Sequence, residues 1–134
     1  MASFPLKIVC PDGVKYDGQA QQLTVRTTSG ELGILARHTD CVAPLGMGRA
    51  AITVDGNIRY GACIGGMVSV LDGCVTLVPT TFEWAEEIDP QRVEAALVRA
   101  QKVLEDKAAS KAEIILAEAR LKRALIRKSV ASSK

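Results

Sequence analysis

Hydrophobic and polar residues follow two different rhythms in this chain, and the change comes near residue 88. Before it, apolar side chains tend to alternate with polar ones. Gln21-Gln22-Leu23-Thr24-Val25-Arg26-Thr27 is the clearest case, with the period of a strand that buries one face. Leu6-Lys7-Ile8-Val9-Cys10 is rich in strand formers and stops at Pro11-Asp12-Gly13. Ser29-Gly30-Glu31-Leu32-Gly33-Ile34-Leu35 puts Leu32 and Ile34 on one face. Ala51–Val54 and Asn57–Tyr60 flank Asp55-Gly56, and Met67–Leu71 and Cys74–Val78 flank Asp72-Gly73. Asp-Gly between β-branched runs predicts a tight hairpin, because glycine takes a positive φ without steric penalty. Short strands at this spacing predict a compact antiparallel sandwich or barrel.

After residue 88 the period becomes helical. Val93, Ala96, Leu97, Ala100, Val103 and Leu104 form one stripe; Ile114, Ala117, Leu121, Ala124 and Leu125 form a second. Glu105-Asp106-Lys107 and Ser110 interrupt them, so two helices in an antiparallel hairpin are expected. Glu86-Glu87-Ile88-Asp89-Pro90 marks the joint. Asp89 suits the N-cap and Pro90 the first helical position, where a missing N–H costs nothing. Glu86 and Glu87 are expected to complement the positive end of the helix dipole. No glycine and no proline follow Pro90. The expected fold is therefore α+β in two parts: residues 1–88 an antiparallel β-sandwich, residues 89–134 an antiparallel α-helical hairpin.

Composition adjusts this picture in three ways. Aromatic residues are only 4%, so the core must be aliphatic and rich in small residues. No apolar run approaches the roughly 20 residues of a membrane helix, and no secretory signal is visible, which predicts an intracellular chain. The net charge of +2 is unevenly placed: residues 1–88 carry −3, residues 89–110 balance, and residues 111–134 carry +5. An anionic partner is expected to meet the last helix. Arg123 and Arg127 stand one turn apart there, where like charges repel by a few tenths of a kcal/mol.

Candidate chemistry is sparse. Cys10, Cys41, Cys63 and Cys74 have no metal or redox spacing and read as small hydrophobes on strands. Gly46-x-Gly48-x-x-Ala51 resembles a dinucleotide fingerprint but leads into a strand, not a helix. Gly61-Ala62-Cys63-Ile64-Gly65-Gly66 lacks the Lys-Ser/Thr of a phosphate loop, so tight backbone packing or close approach to a partner is expected. His38, the single histidine, has no evident nucleophile partner and reads as a turn or partner-facing residue. No catalytic or metal-binding set emerges, and no enzyme activity is expected. A basic-helix module for nucleic acid or an anionic membrane surface is the alternative; residues 89–134 contain no Phe, Trp or Tyr for base stacking, which weighs against it.

Taken in order, Ser29–Leu35 followed by His38, Pro44-Leu45, Ile64-Gly65-Gly66-Met67-Val68-Ser69-Val70 and Ile88-Asp89-Pro90-Gln91-Arg92 before basic helices resemble the epsilon-subunit family of F-type ATP synthases. The resemblance covers essentially the whole chain. It implies a sandwich that grips the gamma subunit and the c-ring, and helices that fold onto the sandwich or extend along gamma toward the alpha/beta hexamer. Extended, they suppress ATP hydrolysis. It implies a peripheral protein on the cytoplasmic face of the bacterial inner membrane, touching the membrane indirectly, with no nucleic-acid partner and no required cofactor. Some members bind ATP on the folded hairpin through Ile/Leu-Asp-x-x-Arg-Ala. Here Ile88, Asp89 and Arg92 match and Val93 replaces the alanine; Arg99, Arg123 and Arg127 match further basic positions, and Glu83 an acidic one. Glu83, Asp89, Arg92, Arg99, Arg123 and Arg127 are the implied site for ATP as a regulatory ligand.

Overall fold

The computed structural model describes residues 2–133. Eight strands come first: β1 (Phe4–Cys10), β2 (Gly13–Ala20), β3 (Gln22–Thr27), β4 (Gly30–Leu35), β5 (Cys41–Pro44), β6 (Met47–Val54), β7 (Asn57–Leu71) and β8 (Cys74–Trp84). A 3-10 turn at Ala85–Glu87 leads to α1 (Pro90–Glu105) and α2 (Lys111–Ala131). The molecule is a β-sandwich followed by a helical hairpin, as the two rhythms predict.

The strands run in the order β2-β1-β8-β7-β6-β3-β4, with β5 also paired to β7. One ladder departs from the antiparallel expectation: β1 pairs with β8 in parallel. Alternation carries the core. Phe4, Leu6, Ile8 and Cys10 of β1 are buried, as are Leu23, Val25 and Thr27 of β3, and all but Cys10 and Thr27 join one apolar cluster with residues of β4, β6, β7 and β8. Asp55-Gly56 and Asp72-Gly73 have positive φ at both residues, the conformation a two-residue hairpin needs to match strand twist.

Three elements depart from the sequence reading. β2 buries only Ala20 and shows no alternation of burial, and β5 is a four-residue run; their pairing with β1 and β7 defines them. The glycine stretch 61–66 continues the strand begun at Asn57 into the one that ends at Leu71, and its tight packing is as expected. β7 pairs with β6 over one half and with β5 over the other, in a single register. The two halves meet where Leu45-Gly46 exchanges backbone hydrogen bonds with Gly65-Gly66 at 2.8 and 3.0 Å. A Cβ on Gly61 would lie 2.4 Å from the Phe82 ring, and one on Gly66 2.0 Å from the Val78 carbonyl oxygen. The stretch is glycine-rich because strand β8 passes too close for side chains.

The joint is built largely as its residues suggest. The Asp89 carboxylate accepts the Gln91 N–H at 3.0 Å, with Pro90 first in α1. Ser110 caps α2 reciprocally with Glu113. Glu86 and Glu87, expected to serve the helix dipole, instead tie the 3-10 turn to the sandwich. Glu86 pairs with Arg59 at 2.7 Å; Glu87 accepts the Trp84 N–H at 3.0 Å and stands 3.7 Å from the Lys15 ammonium. Among the described residues, no helix is long and apolar enough to cross a membrane.

Candidate functional site

Helical periodicity fixes which side chains can meet between α1 and α2. Val93, Leu97 and Ala100 of α1 and Ala117, Ala124 and Val130 of α2 are buried. Leu125, placed on the inner stripe by the sequence reading, is 51% exposed. Ala124 turns inward at this level, and Val130, at 0% exposure, completes the stripe. Small residues on both helices let the backbones approach closely.

The hairpin lies against the sandwich through α2, which contacts β6 and β7. A second apolar cluster joins Ala62, Ala85 and Ile88 to Val93, Leu97, Ala124 and Val130. Polar contacts reinforce it at the end of α2. Arg127 Nη2 donates to Glu83 Oε2 at 3.0 Å, and Arg127 Nε lies 2.6 Å from Glu83 Oε1 but off the line a hydrogen bond needs. Arg49 Nη1 donates to Ser133 Oγ at 3.0 Å, with its guanidinium 4.7 Å from the Tyr60 ring centre. Lys128 and Glu94 join the two helices at 3.4 Å.

The six implied ATP residues divide into four groups. Glu83 and Arg127 are paired with each other. Asp89 caps α1. Arg92 and Arg99 are exposed and, with Ala95, Ala96 and Arg127, line a cleft of about 310 Å³ between the helices. Arg123 is exposed on α2 and does not line that cleft. Ile88 and Val93 are closed into the second cluster, at 5% and 1% exposure. A larger cleft of about 630 Å³ continues toward the interhelical turn, lined by Ala96, Arg99, Ala100, Val103, Leu116, Ala117, Glu113 and Arg120. Arg120 is missing from the sequence reading. The available signal was its seven-residue step to Arg127, the same step that separates Arg92 from Arg99.

The sandwich has a surface of different character. Met67 and Val78 face each other across β7 and β8, and Val42 lies opposite Ser69. Together with Leu71, the three apolar residues are 43–67% exposed on one outer face, and their neighbours Pro44, Ser69 and Thr76 are uncharged. Lys7, the register partner of Thr76 on β1, borders it, and an exposed apolar face is a surface suited to protein contact. His38, just after β4, is half-buried, and its Nδ1 lies 2.7 Å from the Thr39 carbonyl oxygen. Cys63 is buried and its thiol pKa is pushed up to about 12 by desolvation. Cys10 is also buried, Cys41 is half-buried and Cys74 exposed; all four are free thiols.

Fold and surfaces define a class: a β-sandwich with an apolar outer face, carrying a docked helical hairpin with an arginine-lined cleft. Comparison with known proteins places it further. The family model for the ATP synthase delta/epsilon chain β-sandwich domain matches residues 3–85, and that for the long α-helix domain matches residues 86–132. The ATP synthase epsilon chain of Ruminococcus albus is 41% identical over 135 aligned residues, spanning all of both chains. That of Bacillus licheniformis is 41% identical over 98% of this chain and 99% of its own. A chain of the Euglena gracilis mitochondrial ATP synthase OSCP/F1/c-ring structure superposes with a TM-score of 0.84 at 25% identity, over 96% of this chain and 81% of that one. The chain belongs to the ATP synthase delta/epsilon family, as an epsilon-type chain.

Proposed function

We propose that this chain is a non-catalytic rotor subunit whose sandwich joins the gamma subunit to the c-ring at the cytoplasmic face of the membrane. Its hairpin regulates ATP hydrolysis by folding onto the sandwich or extending toward the alpha/beta hexamer, and ATP is the ligand that favours the folded form. Residues 1–88 are the coupling domain and residues 89–134 the regulatory one. The observation that carries this reading is the way the hairpin is held. A small-residue cluster and a few polar contacts join it to the sandwich, while Arg92 and Arg99 line an open cleft between its helices. The exposed apolar face around Val42, Met67, Leu71 and Val78 supports the coupling role.

Anion binding in the cleft requires the hairpin, because its walls come from both helices. Charge-assisted hydrogen bonds from guanidinium groups suit a polyphosphate. A ligand that binds only the folded form, at about 100 times its Kd, stabilises that form by roughly 2.7 kcal/mol. A swing from 1:99 to 99:1 needs about 5.5 kcal/mol. ATP therefore biases the switch rather than throwing it. Calorimetry of the full chain with ATP, with and without magnesium, tests the reading. Heat of binding and a raised Tm are expected, both lost in Arg92→Ala. Neither heat nor a shift at millimolar ATP rejects the nucleotide-sensing role.

A further inference from the structure

We propose that Arg120 is an additional anion-binding residue, and that the receptive groove runs past Arg99 toward the interhelical turn. The inference rests on the folded-hairpin reading above and concerns how far its ligand site extends. Arg92 and Arg99 are seven residues apart on α1; Arg120 and Arg127 are seven apart on α2. Seven residues are close to two helical turns, so each pair lies on one side of its helix. The helices are antiparallel, and the lining residues show the consequence. Arg127 shares the smaller cleft with Arg92 and Arg99, while Arg120 shares the larger cleft with Arg99. Ala96 and Arg99 belong to both, so the two clefts are one groove. Each seven-residue step spans about 10 Å along the axis. A groove of that length suits an extended chain of negative groups better than a point anion.

The carboxylates nearby do not neutralise it. Among the described residues, Arg92, Arg99 and Arg120 have no ion-pair partner; Glu94 is taken by Lys128, Glu83 by Arg127, and Glu113 by the Ser110 N–H of its own capping box. Three unpaired guanidiniums therefore face one groove whose floor is alanine. A ligand with several phosphates relieves their repulsion. Leu116, Val103 and Ala117 make the far wall apolar, so fixed charge at that end comes from Arg99 and Arg120 against the single Glu113 carboxylate.

Titration of the full chain with inorganic tripolyphosphate and with ATP, at fixed salt, tests this. The variants are Arg120→Gln and Lys122→Gln, which lose the same charge; both positions are exposed, so neither is needed for folding. Arg120→Gln is expected to weaken tripolyphosphate binding on the order of tenfold, the effect of one lost charge-assisted hydrogen bond. Lys122→Gln should change it by less than about twofold, the effect of net charge alone. Equal effects of the two variants would overturn the proposal, as would a wild-type chain that does not bind tripolyphosphate. If tripolyphosphate binds in an Arg120-dependent way but millimolar ATP does not bind, the groove stands and nucleotide sensing is rejected.

Discussion

At the scale of single residues, burial and close approach decide what each position tolerates. Gly66 has φ +101°, and an added Cβ would stand 2.0 Å from the Val78 carbonyl oxygen and 2.6 Å from Pro79 Cα. Backbone cannot withdraw as a flexible side chain would, and an L-residue at that φ is strained. Gly66→Ala should cost about 3 kcal/mol or more in urea denaturation. Cys63 offers a pH test. Its thiol is protonated in the folded chain up to about pH 12, against 9.0 for an unperturbed thiol. Between those values the unfolded chain loses a proton that the folded chain keeps. The stability contributed by Cys63 is thus complete below pH 9 and declines as pH rises toward 12. The decline in urea midpoint above pH 9 should be smaller in Cys63→Ala than in the parent chain. Native alkylation at neutral pH should label exposed Cys74 and spare Cys63.

At the scale of elements, caps and faces set the helices. Ser110 and Glu113 satisfy each other's backbone N–H groups at the start of α2, at 3.2 and 3.3 Å. Ser110→Ala should cost about 1 kcal/mol, read as faster amide exchange in the first turn of α2. Leu125 and Val130 form a contrasting pair on the same helix. Leu125→Ser should change stability by less than about 0.5 kcal/mol, because the side chain already meets water. Val130→Asp places a charge in a fully buried position and should release the hairpin. Nitrogen-15 relaxation will show it: the helices should tumble separately from the sandwich in Val130→Asp and together with it in Leu125→Ser. The parallel β1–β8 pair belongs to this scale too. It is a long-range pairing that no local pattern encodes, since the alternation of β1 suits either strand direction.

At the scale of the whole molecule, the sandwich and the hairpin differ in what holds them. Among the described residues, the sandwich encloses seventeen buried apolar side chains in one cluster, and the hairpin meets it through a second cluster of seven, three of them alanine. Alanine buries little area, so the second contact contributes much less per residue. A thin contact of this kind fits the switch proposed above, because a ligand shifts an equilibrium only by its differential affinity for the two states. The outer face of β5, β7 and β8 makes a separate prediction. Val42→Asp and Leu71→Asp should leave the Tm of the isolated chain within about 2 °C, both side chains being more than 60% exposed. They should weaken assembly with gamma and the c-ring, measured by co-purification of the rotor.

Much of the fold was legible in the chain because it is encoded locally. Alternation placed β1, β3 and β4, Asp-Gly placed two hairpins, and Asp89-Pro90 placed the start of α1, each through interactions within a few residues. The arginine cleft was half legible: the family resemblance pointed to Arg92 and Arg99, and their seven-residue step sets both on one side of α1. Only tertiary structure could decide the rest. Whether Glu83 meets Arg127, whether Leu125 or Val130 faces inward, and whether Arg120 joins Arg99 depend on which helix faces pack and at what level. Those choices are made by contacts between residues 20 to 80 positions apart, and local periodicity carries no information about them.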